Sequence, residues 1–243
     1  VRYDSFDTFG DTVNPRLALV YSPVEPTTLK FLYGTAFRAP NVSEFSYEDD
    51  ARTYKLNPDL EPEKTSTYEL VCEQRLGPHW RGSVAGFLNK VTGLISTVQD
   101  PIDGLTYSDN IDKVEARGVE FQLDGQLARD VRGRASYTFA KTEDASTGKP
   151  LNNSPEHLAK LNLTAPAIGD WLLAGAELQY MSDRTTVAGL TLDDVWLVNA
   201  TLFTSRFKGV WDLSLSAHNL FDTSYLDPAA APDTVEQDGR TLR

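Results

Sequence analysis

The residues of this chain whose types could do chemistry are three histidines, one cysteine, one acidic run and a scatter of arginine and tyrosine in a single long polar stretch. A histidine acting as a base needs a partner within hydrogen-bond reach. His79 stands in a Gly-Pro turn, His157 follows Pro155 at the start of an alternating segment, and His218 falls on a polar parity near a segment's end. Each reads as a solvated or lumen-side residue. No Gly-rich phosphate loop, GxSxG elbow or HExxH pair occurs, so the sequence points away from an enzyme. Cys72 has no second sulfur to form a disulfide or a paired-cysteine zinc site. The run Glu48, Asp49 and Asp50 offers hard oxygen ligands, but without the spaced ligands and glycine of a calcium loop it reads as solvated charge. No metal and no cofactor is expected. Arg38, Tyr47, Arg52 and Tyr54 suit a different chemistry: guanidinium groups pair with anions and phenol rings present an amphipathic surface, a set fitted to an anionic or aromatic iron chelate. These four are the candidate ligand residues.

What must hold them is visible in the hydrophobic pattern, which recurs with period two and shows almost no helical spacing. Along residues 118–127 one parity is Val119, Phe121, Leu123 and Leu127, and the other is Glu120, Gln122, Asp124 and Gln126. Leu29, Phe31, Tyr33 and Phe37 oppose Lys30, Gly34 and Arg38 in the same way. Ala135, Tyr137 and Phe139 oppose Arg134, Ser136 and Thr138, and Leu161 and Leu163 oppose Lys160, Asn162 and Thr164. Near the end Trp211, Leu213, Leu215 and Ala217 oppose Asp212, Ser214, Ser216 and His218. Residues 83–91 alternate less cleanly, and their faces stay unassigned. The chain is all-β.

Alternation alone does not separate a membrane barrel from a soluble sandwich, because antiparallel sheets commonly have one buried and one wet face. The connections favour the barrel. Short turns at residues 23–26, 77–79, 128–132, 167–170 and 206–208 alternate with long polar connections at 38–64, 98–111, 143–156, 182–194 and 221–239. Short periplasmic turns and longer extracellular loops joined by strands of about ten residues are the pattern of outer-membrane barrels. Trp80, Trp171 and Trp211 follow short turns and Trp196 follows a long loop, which places three at one membrane interface and one at the other. A soluble or surface-exposed β adhesion module remains the alternative.

Bulk properties narrow the partners. A formal net charge of -12 and a pI near 4.7 argue against a nucleic-acid surface, which needs clustered Lys and Arg. No stretch reaches the roughly 20 consecutive apolar residues of a membrane helix, a test that barrel strands escape. Val1 opens the chain without a secretory signal, which reads as a fragment.

Several segments resemble the C-terminal barrel of TonB-dependent receptors, over nearly the whole chain. VNPRLALVYSP and LKFLYGTAFRAPNVSEF carry Phe37, Arg38, Ala39 and Pro40. NPDLEPEKTSTYEL follows with Asn57, Pro58, Leu60, Pro62, Glu63, Tyr68 and Glu69. NIDKVEARGVEFQL matches in Gly118, Val119 and Glu120, and HNLFDTSYLDP in Asn219, Leu220, Phe221, Asp222 and Tyr225. By their residue types these motifs are scaffold: prolines restrict a loop, Asn219 to Asp222 end a strand, and Gly118 lets the backbone pass close to a neighbour.

The resemblance implies an antiparallel up-and-down transmembrane β-barrel of which residues 1–243 supply roughly eleven or twelve of about 22 strands, with the plug domain and first strands absent. It also implies a receptor in the outer membrane of a Gram-negative bacterium that imports a scarce nutrient, a ferric siderophore or alternatively cobalamin. The implied partners are outer-membrane lipid, the nutrient, and TonB acting through the missing plug region.

Overall fold

A computed structural model describes residues 1–7, 10–46, 53–128, 130–204, 210–229 and 233–243. Tyr47 and Arg52, the acidic run Glu48 to Asp50 and the expected turn at 206–208 lie outside the described residues. Strand β1 (Arg2–Phe6) pairs with β2 (Gly10–Asn14), which passes through Pro15 into β3 (Arg16–Val24). Then come β4 (Thr27–Arg38), the short helix α1 (Val42–Ser46), β5 (Glu63–Leu76), β6 (Trp80–Gln99), β7 (Thr106–Ala128) and β8 (Val131–Asp144). After β9 (His157–Ile168) and β10 (Leu172–Met181), the two-residue strands β11 (Arg184–Thr185) and β12 (Thr191–Leu192) form a small hairpin before β13 (Val195–Thr204). Finally β14 (Ser214–His218) is followed by a second small hairpin, β15 (Leu226–Pro228) with β16 (Thr234–Glu236), and by β17 (Thr241–Leu242).

One sheet of eleven antiparallel strands runs in the order β17, β14, β13, β10, β9, β8, β7, β6, β5, β4, β3. Every strand neighbours the one before it, apart from the two hairpins set into connections, so the topology is up-and-down. Strand β1 adds a twelfth by way of β2. The sheet is open: its end strands β3 and β17 do not pair with each other.

Paired residues share a face, so the register sorts every side chain. Val119 lies in one row with Phe31, Leu70, Gly86 and Phe139, and Phe121 in the next with Leu29, Cys72, Val84 and Tyr137. This face is bare: Leu70 is 62% exposed, Leu215 58% and Phe121 47%, whereas only Leu60, Val71, Ala85, Leu192 and Val195 form a buried apolar set among the described residues. A water-soluble sheet would cover such a face. The opposite face is polar and cross-linked. Glu73 takes Lys30 at 2.5 Å and Arg81 at 3.0 Å, Asn199 donates to Glu177 at 2.8 Å, and Thr201 meets Ser216 at 3.0 Å.

Residues 83–91 owe their irregular pattern to an exchange across faces. Gly86 occupies the apolar face while Phe87 points to the polar one, where a Cβ on Gly118 would come within 2.7 Å of the Phe87 ring and 2.1 Å of the Phe139 carbonyl oxygen. Glycine is required there because the aromatic ring and the neighbouring strand occupy the side-chain space. Asn219 and Asp222 adopt left-handed φ values of 50° and 59° and end β14, the turn role their types suit.

Two expectations need correction. Strands β6 and β7 are 20 and 23 residues long rather than about ten, and they pair through most of the stretch read as a connection at 98–111, leaving residues 100–105 as the tip. His157, read as a solvated or lumen residue, lies in the row of the apolar face beside Phe139, with its Nδ1 2.7 Å from the Tyr137 hydroxyl.

Candidate functional site

The candidate ligand residues belong to the connection between β4 and β5, and the structure shows how that connection is held. At its foot Arg38 faces Glu63 across the two strands, and its guanidinium forks onto both carboxylate oxygens at 2.7 and 2.5 Å. Its remaining nitrogen reaches Glu44 at 2.9 Å. Glu44 in turn accepts the Asn41 N–H at 2.8 Å while its own N–H donates to the Asn41 side chain at 2.9 Å, a reciprocal cap at the start of α1. Glu63 is buried and also accepts the Ile95 N–H at 2.9 Å, tying the foot to β6. Hydrogen bonds from Arg38 hold the Glu63 carboxyl below the usual range, and Glu63 first, then Glu44, raise the already high Arg38.

Further along, residues 53–62 lie against the outer ends of β6 and β7. The Lys55 N–H donates to the Thr106 carbonyl at 2.9 Å and the Thr106 N–H to the Thr53 carbonyl at 2.7 Å, so Tyr54 runs parallel to the first residue of β7. The Lys55 ammonium is held by Asp100 and, at 2.8 Å, by Asp103, with its Nζ 5.2 Å from the Tyr107 ring centre. Lys55 holds both carboxyls below their usual range, helped by the N–H groups of Ile102 and Leu105 respectively, and the two aspartates raise Lys55. Asn57 donates to the Ser108 carbonyl at 3.0 Å, and Asn110 bridges to Glu61 through its side-chain oxygen (2.7 Å) and nitrogen (2.8 Å). Leu60 is 3% exposed, and Pro62 is buried with it. Residues 53–63 are therefore a strap over the β6–β7 hairpin.

Of the four candidate ligand residues, the structure thus describes two. Arg38 sits at the root with its donors engaged by Glu63 and Glu44, and Tyr54 lies on the strap beside Thr106, 38% exposed. Residues 47–52 fall between the capped helix and the strap. Sequence reasoning missed Glu44, Lys55, Asp100, Asp103 and Asn110. The Asn41-x-x-Glu44 spacing signalled the cap, whereas the partners of Lys55 lie 45 and 48 residues away and carry no local signal.

A second fastening joins the last two long connections. Arg184, 5% exposed, donates to Asp227 at 2.6 Å and to the Leu226 carbonyl at 3.0 Å, and Thr186 donates to Asp233 at 2.5 Å. Asn219 anchors the base of this cluster by accepting the Thr223 N–H and donating to the Thr223 carbonyl, both at 2.8 Å. The described residues contain no group of three or more His, Cys, Asp or Glu placed to hold a metal.

An up-and-down sheet with one bare apolar face, one hydrogen-bonded polar face and long connections at a single end has the build of an outer-membrane barrel wall. The family model described as "TonB dependent receptor-like, beta-barrel" matches residues 1–220, and the chain belongs to that family. An iron-regulated outer membrane virulence protein of Vibrio cholerae is 26% identical over 91% of this chain and 37% of its own length. The vitamin B12 transporter BtuB of the same species is 27% identical over 93% of this chain and 36% of its own. Among solved structures, the ferric enterobactin receptor PfeA of Pseudomonas aeruginosa superposes with a TM-score of 0.83 at 20% identity, covering 99% of this chain and 40% of that one. The ferric-catecholate import receptor Fiu of E. coli does so with a TM-score of 0.73, also at 20% identity, covering 96% and 34%. These two structures establish the fold. The chain spans a little over a third of the length of the curated relatives.

Proposed function

We propose that this chain is part of the wall and outer rim of a non-enzymatic receptor in the outer membrane of a Gram-negative bacterium, and that the receptor binds a scarce nutrient, a ferric siderophore first and cobalamin as the alternative, for TonB-driven import. The observation that carries the reading is the strapped connection. A rigid wall fixes its foot through Arg38, Glu63 and Glu44 and its return through Lys55, Asn57 and Asn110, and binding residues are commonly placed on loops held by a rigid scaffold. Between those anchors the sequence carries Tyr47 and Arg52, with Tyr54 on the strap itself. Iron regulation in one relative's name and vitamin B12 in another's support the nutrient class. The plug and the contact with TonB are assigned to parts of the receptor that these residues do not include.

The experiment is nutrient binding by the full-length gene product with Arg52 and Tyr54 replaced by alanine, using radioiron-labelled catecholate and hydroxamate chelates and cyanocobalamin as probes. Binding of one probe should weaken while heat resistance of the folded barrel stays unchanged. If a correctly assembled receptor lacking residues 47–54 keeps full affinity, the site lies in the plug and the remaining loops. Arg38→Ala is a poorer probe, since it also releases Glu63 and Glu44.

A further inference from the structure

The net charge of -12 is not spread evenly over the molecule. The five long connections, residues 38–64, 98–111, 143–156, 182–194 and 221–239, hold 21 Asp and Glu against six Lys and Arg, whereas the rest of the chain holds 14 against 17. The rim is therefore strongly acidic and the remainder slightly basic. Asp59, Asp183, Asp193 and Asp238 on these connections are exposed, and none of the four forms an ion pair among the described residues.

The cations of the same rim are taken up by the scaffold. Arg38 is forked onto Glu63 and reaches Glu44, Lys55 lies between Asp100 and Asp103, and the buried Arg184 is held by Asp227. Lys64 takes its place in the apolar-face row of Phe37. Of the described rim cations, that leaves Lys149. The aromatic rings offer a cation a second attraction. The Lys55 ammonium already lies 5.2 Å from the Tyr107 ring centre, in the range where a tyrosine face attracts a positive charge, and Tyr54, next to Lys55 on the strap, has its side chain partly open to solvent.

We infer that the nutrient admitted at this rim is a cationic iron chelate, of the kind formed by a linear hydroxamate that ends in a protonated amine, and that a tris-catecholate trianion is turned away. The inference deepens the receptor reading and rests on it. A surface of one sign raises the local concentration of the opposite charge and speeds its association by about 10- to 1,000-fold, an effect that salt screens over about 8–10 Å. An anion meets the same field with the opposite result. It also finds the Arg38 guanidinium, whose type alone would suit it, already paired with two carboxylates.

Association kinetics of labelled chelates with the full-length gene product in detergent test this. The main probe is the ferric complex of a linear trihydroxamate in three forms: cationic with a free terminal amine, neutral when N-acetylated and anionic when N-succinylated. The iron core is then constant and charge is the variable; a ferric tris-catecholate and cyanocobalamin complete the set. At low salt the cationic complex should associate at least about tenfold faster than the anionic one, with the neutral complex between them, and about 0.5 M NaCl should erase the order. Asp59→Asn, Asp183→Asn, Asp193→Asn and Asp238→Asn combined should slow the cationic complex about fivefold and leave the neutral one unchanged. The Asp183→Asn and Asp193→Asn pair serves if four substitutions prevent assembly. Asp170→Asn, in a short turn at the other end, should change neither. Equal or faster association of the anionic complex, binding of the tris-catecholate or cyanocobalamin in preference to all three hydroxamates, or equal slowing of the neutral complex by the combined variant would overturn the inference while leaving the receptor reading intact. Binding of none of the probes by a correctly assembled barrel would overturn the reading beneath it.

Discussion

Arginine placed at Phe121 measures directly whether the bare face meets lipid, and at what depth. Trp80 pairs with Gly125 near the short-turn end, and Lys90 pairs with Glu115 toward the opposite end. The ten residue steps from Trp80 to Lys90, at about 3.3 Å each and a tilt near 40°, span about 25 Å, the height of a barrel's apolar band. The midpoint falls at the Ala85 and Glu120 pair, so Phe121 lies one residue from the bilayer centre on the apolar face. Phe121→Arg should destabilise the barrel by about 2–4 kcal/mol, the cost of a cation at the midplane, and Leu88→Arg, which pairs with Arg117 two residues from Lys90, by about 0–1 kcal/mol. Gln122→Arg, one residue along and on the polar face, should stay within about 0.5 kcal/mol. The assay is equilibrium urea unfolding of the full-length gene product in phospholipid bilayers, with heat-dependent gel mobility confirming assembly. A cost that is the same at Phe121 and Leu88 would refute the depth assignment. A cost at Gln122 as large as at Phe121 would refute the assignment of faces.

Two other perturbations probe the parts that hold the site. Gly118→Ala should destabilise the barrel by at least about 1–3 kcal/mol, because its Cβ meets the Phe139 carbonyl oxygen as well as the Phe87 ring. Adding Phe87→Ala should therefore fail to restore stability in the same unfolding assay. The strap should be pH-dependent with a definite sign. Asp100 and Asp103 are lowered, so their contribution is complete above the ordinary aspartate value of about 3.9 and fades as the pH falls through their lowered values. Lys55 is raised, so its contribution is complete below about 10.4 and fades only as the pH rises through its raised value. Protection of the Lys55 and Thr106 amides against hydrogen exchange, taken relative to the intrinsic rate at each pH, should fall below about pH 4, and Lys55→Met should abolish that acid dependence; unchanged protection in the variant would show that the side-chain pairs do not hold the strap.

Which parts of this architecture could be read from the sequence follows from where the membrane imposes its pattern. Val119, Phe121 and Leu123 alternate cleanly with Glu120, Gln122 and Asp124 because one face of β7 is bare and apolar and the other polar. Toward the tip of the β6–β7 hairpin both faces meet water, and Ser96, Thr97, Ser108 and Asp109 carry no such period although they are paired. The strands therefore read as ending too early. Residues 83–91 defeated the pattern for a local reason, since Phe87 fills the side-chain space that Gly118 leaves empty. At the site, Asn57, Pro58 and Pro62 announced a restricted loop, but the contacts that restrain it, Lys55 to Asp100 and Glu61 to Asn110, join positions more than 40 residues apart. Arg38 shows the limit of residue type as a guide: its guanidinium suits an anionic ligand, and the geometry gives it two carboxylates of the scaffold.

Energy-dependent nutrient uptake tests the central claim most directly. Cells lacking their own copy of the gene and expressing the full-length gene product would be supplied with the radioiron-labelled chelates and cyanocobalamin in turn, with and without functional TonB. One probe should bind at the cell surface in both backgrounds and accumulate inside only where TonB is functional. Accumulation of the bound probe at the same rate without TonB, or surface binding of none of the probes by a correctly assembled barrel, would contradict it.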